Sequence, residues 1–269
     1  MEISDYLRKS LASKRLIFTI GAGRNGSAHL ARLMGFVPGV ASFHEPAPYF
    51  WEAKEAALAD RNQACEFWRE KKLRVIAECK SLVYFESSHL ACKGFLEVLD
   101  GSGVPFDLVY LRRDPRKIAQ SLHRLGTVPE RTESGVRYLW APRQLVAFQD
   151  LQYDHWNDYQ LTFWYAKSIQ MLADAWRVRF AEVGRRFISV TVEEISSFGG
   201  YWRLLKALKL YRDYPRTWYW FWRTRGQKTN VRTYAAPDDF SKGDLDSFEA
   251  EVTAAIQDRK ISLDSRRVD

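Results

Sequence analysis

The sequence predicts an α/β protein in which a central parallel sheet of about five strands is flanked by helices, three layers in all. Two observations predict it. Short apolar runs rich in β-branched residues recur between longer helix-like stretches, so strands and helices alternate along the chain. These runs are apolar nearly throughout rather than at every second residue, the pattern of strands covered on both faces. In such a sheet ligands bind beyond the carboxyl ends of the strands, so the residues following each run are where chemistry is expected.

In chain order, residues 2–13 read as a short amphipathic helix and Arg15-Leu16-Ile17-Phe18-Thr19-Ile20 as the first strand. A glycine-rich turn and a helix over 27–35 follow. A second strand is expected over 39–43, ending in His44-Glu45-Pro46. Residues 52–71, rich in alanine and charge, read as a helix. Arg74-Val75-Ile76-Ala77 reads as a third strand running into Glu78-Cys79-Lys80-Ser81, and Ser87-Ser88 as the cap of a helix over 89–99. Phe106 to Leu111 is the fourth strand. Asp114 then suits an N-cap and Pro115 the first turn of a helix over 115–123. The stretch 126–151, with Pro129 and Pro142, reads as irregular, and 154–181 as a helix whose aromatics mainly fill core. Phe187 to Val192 is the fifth strand, and 241–269 a polar helix and tail. The run Trp218-Tyr219-Trp220-Phe221-Trp222 fits a packed aromatic cluster, a loop covering a ligand, or a membrane-surface patch.

With 269 residues and no low-complexity linker or internal repeat, one large domain spanning 1–269 is expected. A net charge of +8 and a pI near 9.3 favour anionic ligands. Nucleic acid is not expected, because the basic residues are spread along the chain and no helix-turn-helix, RNA-recognition or zinc-finger signature occurs. No apolar run approaches the roughly 20 residues of a membrane span. The N-terminus carries Glu2 and Asp5, unlike a secretory signal. Cys65, Cys79 and Cys92 show no metal-ligand spacing, and their odd number suits a reducing, cytoplasmic setting without a catalytic metal.

The chemistry is expected at Gly21-Ala22-Gly23-Arg24-Asn25-Gly26-Ser27, where a strand hands over to a helix. Converging backbone N–H groups and the helix dipole favour an anion there. Gly21-x-Gly23-x-x-Gly26 fits a dinucleotide fingerprint, with Glu45 at about the distance of a ribose-binding acid. Gly21-x-x-x-x-Gly26 also fits the front of a Walker A loop, but Ser27 replaces the lysine that such a loop needs. A second feature lies downstream. Arg113 follows the fourth strand and Ser121 stands about two turns into the next helix, a guanidinium fork and a hydroxyl suited to one phosphate.

Together, Arg24-Asn25-Gly26-Ser27 and the strand–Arg113-Asp114-Pro115–helix–Ser121 arrangement resemble the two donor motifs of sulfotransferases that use 3′-phosphoadenosine-5′-phosphosulfate (PAPS). The resemblance covers about residues 15–121 and implies a P-loop-like fold. It further implies that Gly23, Arg24, Asn25, Gly26, Ser27 and Ala28 hold the 5′-phosphosulfate and that Arg113 and Ser121 hold the 3′-phosphate. Gly226 to Asn230 is similar to the loop that closes over the donor, which adds Lys228 and Asn230. On this reading residues 1–125 form the donor-binding core, 126–240 the acceptor side and 241–269 a terminal helix and tail.

Sulfuryl transfer holds an acceptor hydroxyl or amine in line with the donor S–O bond, stabilises the leaving phosphate with a cation, and needs a base. The resemblance gives the cation role to Arg24 and the base to Glu45, which follows the second strand, with His44 beside it. Glu78 is the rival base: Cys79-Lys80-Ser81 is similar to a Glu-Lys-Ser/Thr stretch of the family, with cysteine in the glutamate position, and Lys80 would reach the sulfonate. His89 and His123 read as helix-surface residues. The acceptor implied is a small molecule or carbohydrate. An oxidoreductase using nicotinamide or flavin at Gly21, Gly23 and Gly26, or a non-catalytic anion or nucleic-acid binder, are the other functions the residues allow.

Overall fold

Five strands, β1 (Arg15–Ile20), β2 (Val40–His44), β3 (Val83–Ser87), β4 (Phe106–Arg112) and β5 (Phe187–Thr191), pair in parallel in the order β2-β3-β1-β4-β5. The structure is a computed structural model and describes residues 1–211, 213–224 and 240–263. Helices α1 (Asp5–Ala12), α2 (Ser27–Met34), α3 (Phe50–Ala59), α4 (Arg61–Glu66), α5 (Leu73–Glu78) and α6 (Leu96–Gly101) lie before and between the first four strands. Helices α7 (Pro115–Arg124), α8 (Glu133–Tyr138) and α9 (Asp158–Glu182) separate β4 from β5. They are followed after β5 by α10 (Val192–Ile195), α11 (Phe198–Ala207), α12 (Tyr214–Thr224) and α13 (Lys242–Ile256).

The chain divides into two compact units, Met1–Arg112 with Arg177–Val231 and Arg113–Trp176 with Arg232–Asp269. The first holds the whole sheet. Successive residues of a strand point to opposite faces, and β1 shows both. Ile17 joins Phe85, Val109 and Val190 in a core closed by α2, α11 and Phe221 of α12. Phe18 points the other way, edge-on to Trp68 at 5.6 Å and to Phe106 at 6.0 Å. Helices therefore cover both faces, which is why the strands lack polar alternation. In the second unit Asp114 accepts from Arg116 N at 2.9 Å and caps α7, whose first residue is Pro115. Arg116 pairs with Glu249 and Asp246 of α13.

Four expectations are corrected. Residues 74–77 are not the third strand: α5 occupies them, because Leu73 and Ile76 are buried three apart while Arg74 and Val75 are exposed, a helical period. The third strand is β3, whose glutamate disguised it. Residues 52–71 are not one helix but α3, α4 and a π-helical stretch over Phe67–Lys72. Nor does a helix run over 89–99, since Ser87 ends β3, turns fill the next residues and α6 begins at Leu96. The irregular stretch 126–151 contains α8. Among the described residues, no helix is long and apolar enough to cross a membrane.

Candidate active site

The central strand β1 ends at Ile20, and α2 starts at Ser27. Between them the backbone turns through left-handed conformations at Gly23 (φ 74°), Arg24 (φ 55°) and Gly26 (φ 86°). Glycine adopts these readily; at Arg24 the same geometry is strained, a feature concentrated at functional sites. Gly26 caps α2 without a side-chain bond, so the first-turn N–H groups keep their capacity for an outside acceptor. Asn25 fixes the turn from within. It is buried, its Nδ2 donates to Leu111 O on β4 at 2.9 Å, and its Oδ1 is buried with no hydrogen-bond partner.

Glu45 arrives at the same edge from β2. Its backbone N–H donates to Ser87 O at 3.2 Å, carrying the β2–β3 ladder one residue further, and its φ of 49° turns the chain at that point. Its Oε1 lies 2.6 Å from Nδ1 of His89, which follows β3. The His89 ring faces the glycine turn: a Cβ placed on Gly23 would lie 3.4 Å from His89 Cδ2 and 3.7 Å from Nε2. The carboxyl ends of β1, β2 and β3 thus bring the glycine turn, a carboxylate and an imidazole into one place.

The electrostatics of the pair follow from burial and neighbours. Burial would raise the Glu45 carboxyl, but His89, and then His44 and Lys93, outweigh it and hold it down at about 2. Burial, with Lys93 adding to it, pushes His89 below its ordinary value. The state at neutral pH is therefore a carboxylate accepting from Nδ1–H of a neutral imidazole, which directs the basic lone pair to Nε2. Lys93 is itself fully buried, and burial brings it down to about 7 although Cys92 and Glu45 favour its charge.

A buried trio supports Glu45. Lys72 Nζ lies 2.9 Å from Glu86 Oε1 with both side chains fully buried, and Tyr84 OH donates to Glu86 Oε2 at 2.6 Å. The same ammonium donates to Pro46 O at 3.1 Å and Pro48 O at 3.2 Å, holding the chain that leaves Glu45.

No protein-family model matches the chain, and no curated protein matches it.

The geometry alone then sorts the expected residues. Gly23, Arg24, Asn25, Gly26, Ser27 and Ala28 form the turn and the start of α2, with Glu45 and His89 beside it. His44 is exposed, with Nδ1 2.9 Å from Ser87 O. Glu78 and Lys80 do not join them. Both are exposed and precede β3 at the amino edge of the sheet, where Lys14 Nζ donates to Cys79 O and Arg15 N donates to Leu82 O. Arg113 and Ser121 belong to the second unit, Arg113 directly after β4 and Ser121 buried in α7. Lys228 and Asn230 lie outside the described residues. His89 corrects the expectation of a helix-surface residue. It sits in the turn after β3, and only recognition of that strand would have marked it.

The tightness of the turn is testable. A Cβ on Gly21 would fall 1.8 Å from Asn25 Nδ2, so Gly21→Ala must break the bond to Leu111 O. The variant should lose about 1–3 kcal/mol in a urea titration, whereas Gly39→Ala, with open space around it, tests the cost of a left-handed glycine alone.

Proposed function

We propose that the chain is a sulfotransferase that moves the sulfuryl group of PAPS to a hydroxyl or amine of a small-molecule or carbohydrate acceptor. The observation that carries this reading is the Glu45–His89 pair set against Gly23 of the glycine turn. A carboxylate-oriented imidazole beside an anion-receiving turn is what transfer from a phosphate-borne group to a nucleophile requires.

The residues fit such a donor. The turn offers the uncapped start of α2, the buried and unpartnered Oδ1 of Asn25, and half-buried Arg24. When bound, PAPS supplies an activated sulfuryl group whose bond to the 5′-phosphate breaks during transfer. Ser27 and the N–H groups of the turn hold the 5′-phosphate, and Arg24 stabilises the negative charge left on it. His89 Nε2 accepts the acceptor's proton, while Glu45 fixes the tautomer and stabilises the imidazolium that results. The 3′-phosphate assignment to Arg113 and Ser121 rests on the motif. The described cysteines form no disulfide, which fits a cytoplasmic setting.

The test is a thermal melt with 3′-phosphoadenosine-5′-phosphate. At about 100 times its Kd the nucleotide should add about 2.7 kcal/mol by mass action, and 5′-AMP, lacking the 3′-phosphate, should add much less. Equal shifts with both would remove Arg113 and Ser121 from the reading. A shift with NAD(H) and none with either nucleotide would make the chain an oxidoreductase. Candidate acceptors incubated with PAPS and examined by mass spectrometry should gain one sulfonate.

A further inference from the structure

Helix α12 carries aromatic side chains on two sides, one buried in the fold and one exposed. Phe221 stacks on Tyr201 at 5.7 Å, Trp220 stacks on Phe36 at 5.1 Å, and Thr217, Phe221 and Thr224 are buried. Trp218, Tyr219 and Trp222 take the remaining arc of the helix, where they are 46%, 48% and 42% exposed. Trp218 and Trp222 stand one turn apart with ring centroids at 6.2 Å, so they form a ridge along the helix. Tyr211 and Tyr214 extend the exposed surface toward the start of the helix. Five of the fifteen exposed large hydrophobic side chains among the described residues therefore fall within residues 211–222. Scattered exposed apolar residues are ordinary; a contiguous group marks a docking surface.

Its chemistry narrows the occupant. Every member is Trp or Tyr, side chains with an apolar body and a polar edge, suited to the boundary between water and lipid; no Leu, Ile, Met or Val is exposed there. Cations share the exposed arc. Arg216 and Arg223 are exposed, and Arg223 Nη1 donates to Tyr219 OH at 2.8 Å, which sets the guanidinium alongside the rings. The chain as a whole carries a net charge of +8. An aromatic ridge flanked by arginines on a basic protein is complementary to a surface of negative headgroups.

We propose that the exposed arc of α12 docks on an anionic lipid bilayer, with Trp218, Tyr219 and Trp222 at headgroup depth and Arg216 and Arg223 against lipid phosphates. No described helix is long and apolar enough to span, so the contact is interfacial. The inference does not depend on the sulfotransferase reading.

The test mixes the full chain with large vesicles, either phosphatidylcholine alone or phosphatidylcholine and phosphatidylglycerol in equal parts, and pellets them. The anionic vesicles should carry the chain down, added salt should weaken this, and tryptophan emission should shift to the blue. Trp218→Ser with Trp222→Ser should lower partitioning by about tenfold with an unchanged circular dichroism spectrum. Arg216→Gln with Arg223→Gln, which removes no ring, should abolish the preference for anionic vesicles. Failure of the wild type to pellet, or equal pelleting of both variants and wild type, overturns the proposal. So does concentration-dependent self-association without vesicle binding that the double Trp variant abolishes, which would give the face to a second copy of the chain.

Discussion

Replacing Lys72 by methionine should lower the unfolding free energy by about 3–5 kcal/mol, because it strands a buried carboxylate. Lys72 and Glu86 are both fully buried, 2.9 Å apart, and each has further partners: Tyr84 OH for the carboxylate, Pro46 O and Pro48 O for the ammonium. The ring of Phe50 lies 4.7 Å from Nζ as well. Burial pushes Lys72 down and Glu86 up, and their mutual attraction works against both shifts. Methionine keeps the volume and removes the charge, so the loss measures the uncompensated carboxylate rather than a cavity. The double variant Lys72→Met with Glu86→Gln removes both charges and should recover most of the loss. Urea titrations of wild type, single and double variants check this. A single variant within about 0.5 kcal/mol of wild type would show that the pair does not hold the fold. Because Lys72 also anchors Pro46 and Pro48, both variants should loosen the segment that fixes Glu45.

The same trio shows why part of the chain was legible and part was not. β1, β4 and β5 could be read from their apolar runs, and α7 from Asp114 and Pro115, because the forces that form them are local or nearly so. β3 escaped because Glu86 interrupts its apolar pattern, and the group that neutralises it, Lys72, closes the π-helical stretch Phe67–Lys72, just past the helix read over 52–71. The strand reading of residues 74–77 failed for the complementary reason: four residues are too few to separate a strand from one helical turn. At the site, the glycine turn is written in the sequence because left-handed backbone asks for glycine. The Glu45–His89 contact is not, since it joins residues 44 apart through the pairing of β2 with β3. Glu78 drew attention through a short resemblance, and the strand direction puts it at the other edge of the sheet.

Glu45→Gln is expected to lower turnover by about 10²–10⁴-fold while leaving stabilisation by 3′-phosphoadenosine-5′-phosphate unchanged. Glutamine retains the shape and can still accept from His89 Nδ1, but it supplies no charge to the imidazolium formed when Nε2 takes a proton. The variant should therefore lose rate without losing the donor, and His89→Asn should lose at least as much. Release of the nucleotide product with a confirmed acceptor measures both, and near-normal turnover in either would remove the pair from the chemistry. A second readout needs no acceptor. The folded Glu45 carboxyl, at about 2, lies below its ordinary 4.5, so the unfolded chain binds more protons between those values. Its contribution is complete above about pH 4.5 and is lost as pH falls through the folded value near 2. His89, also depressed from 6.5, adds a loss of the same sign that begins higher. In Glu45→Gln the acid limb of stability against pH should flatten while the His89 limb persists, a result that a carboxylate of purely local packing value would not give.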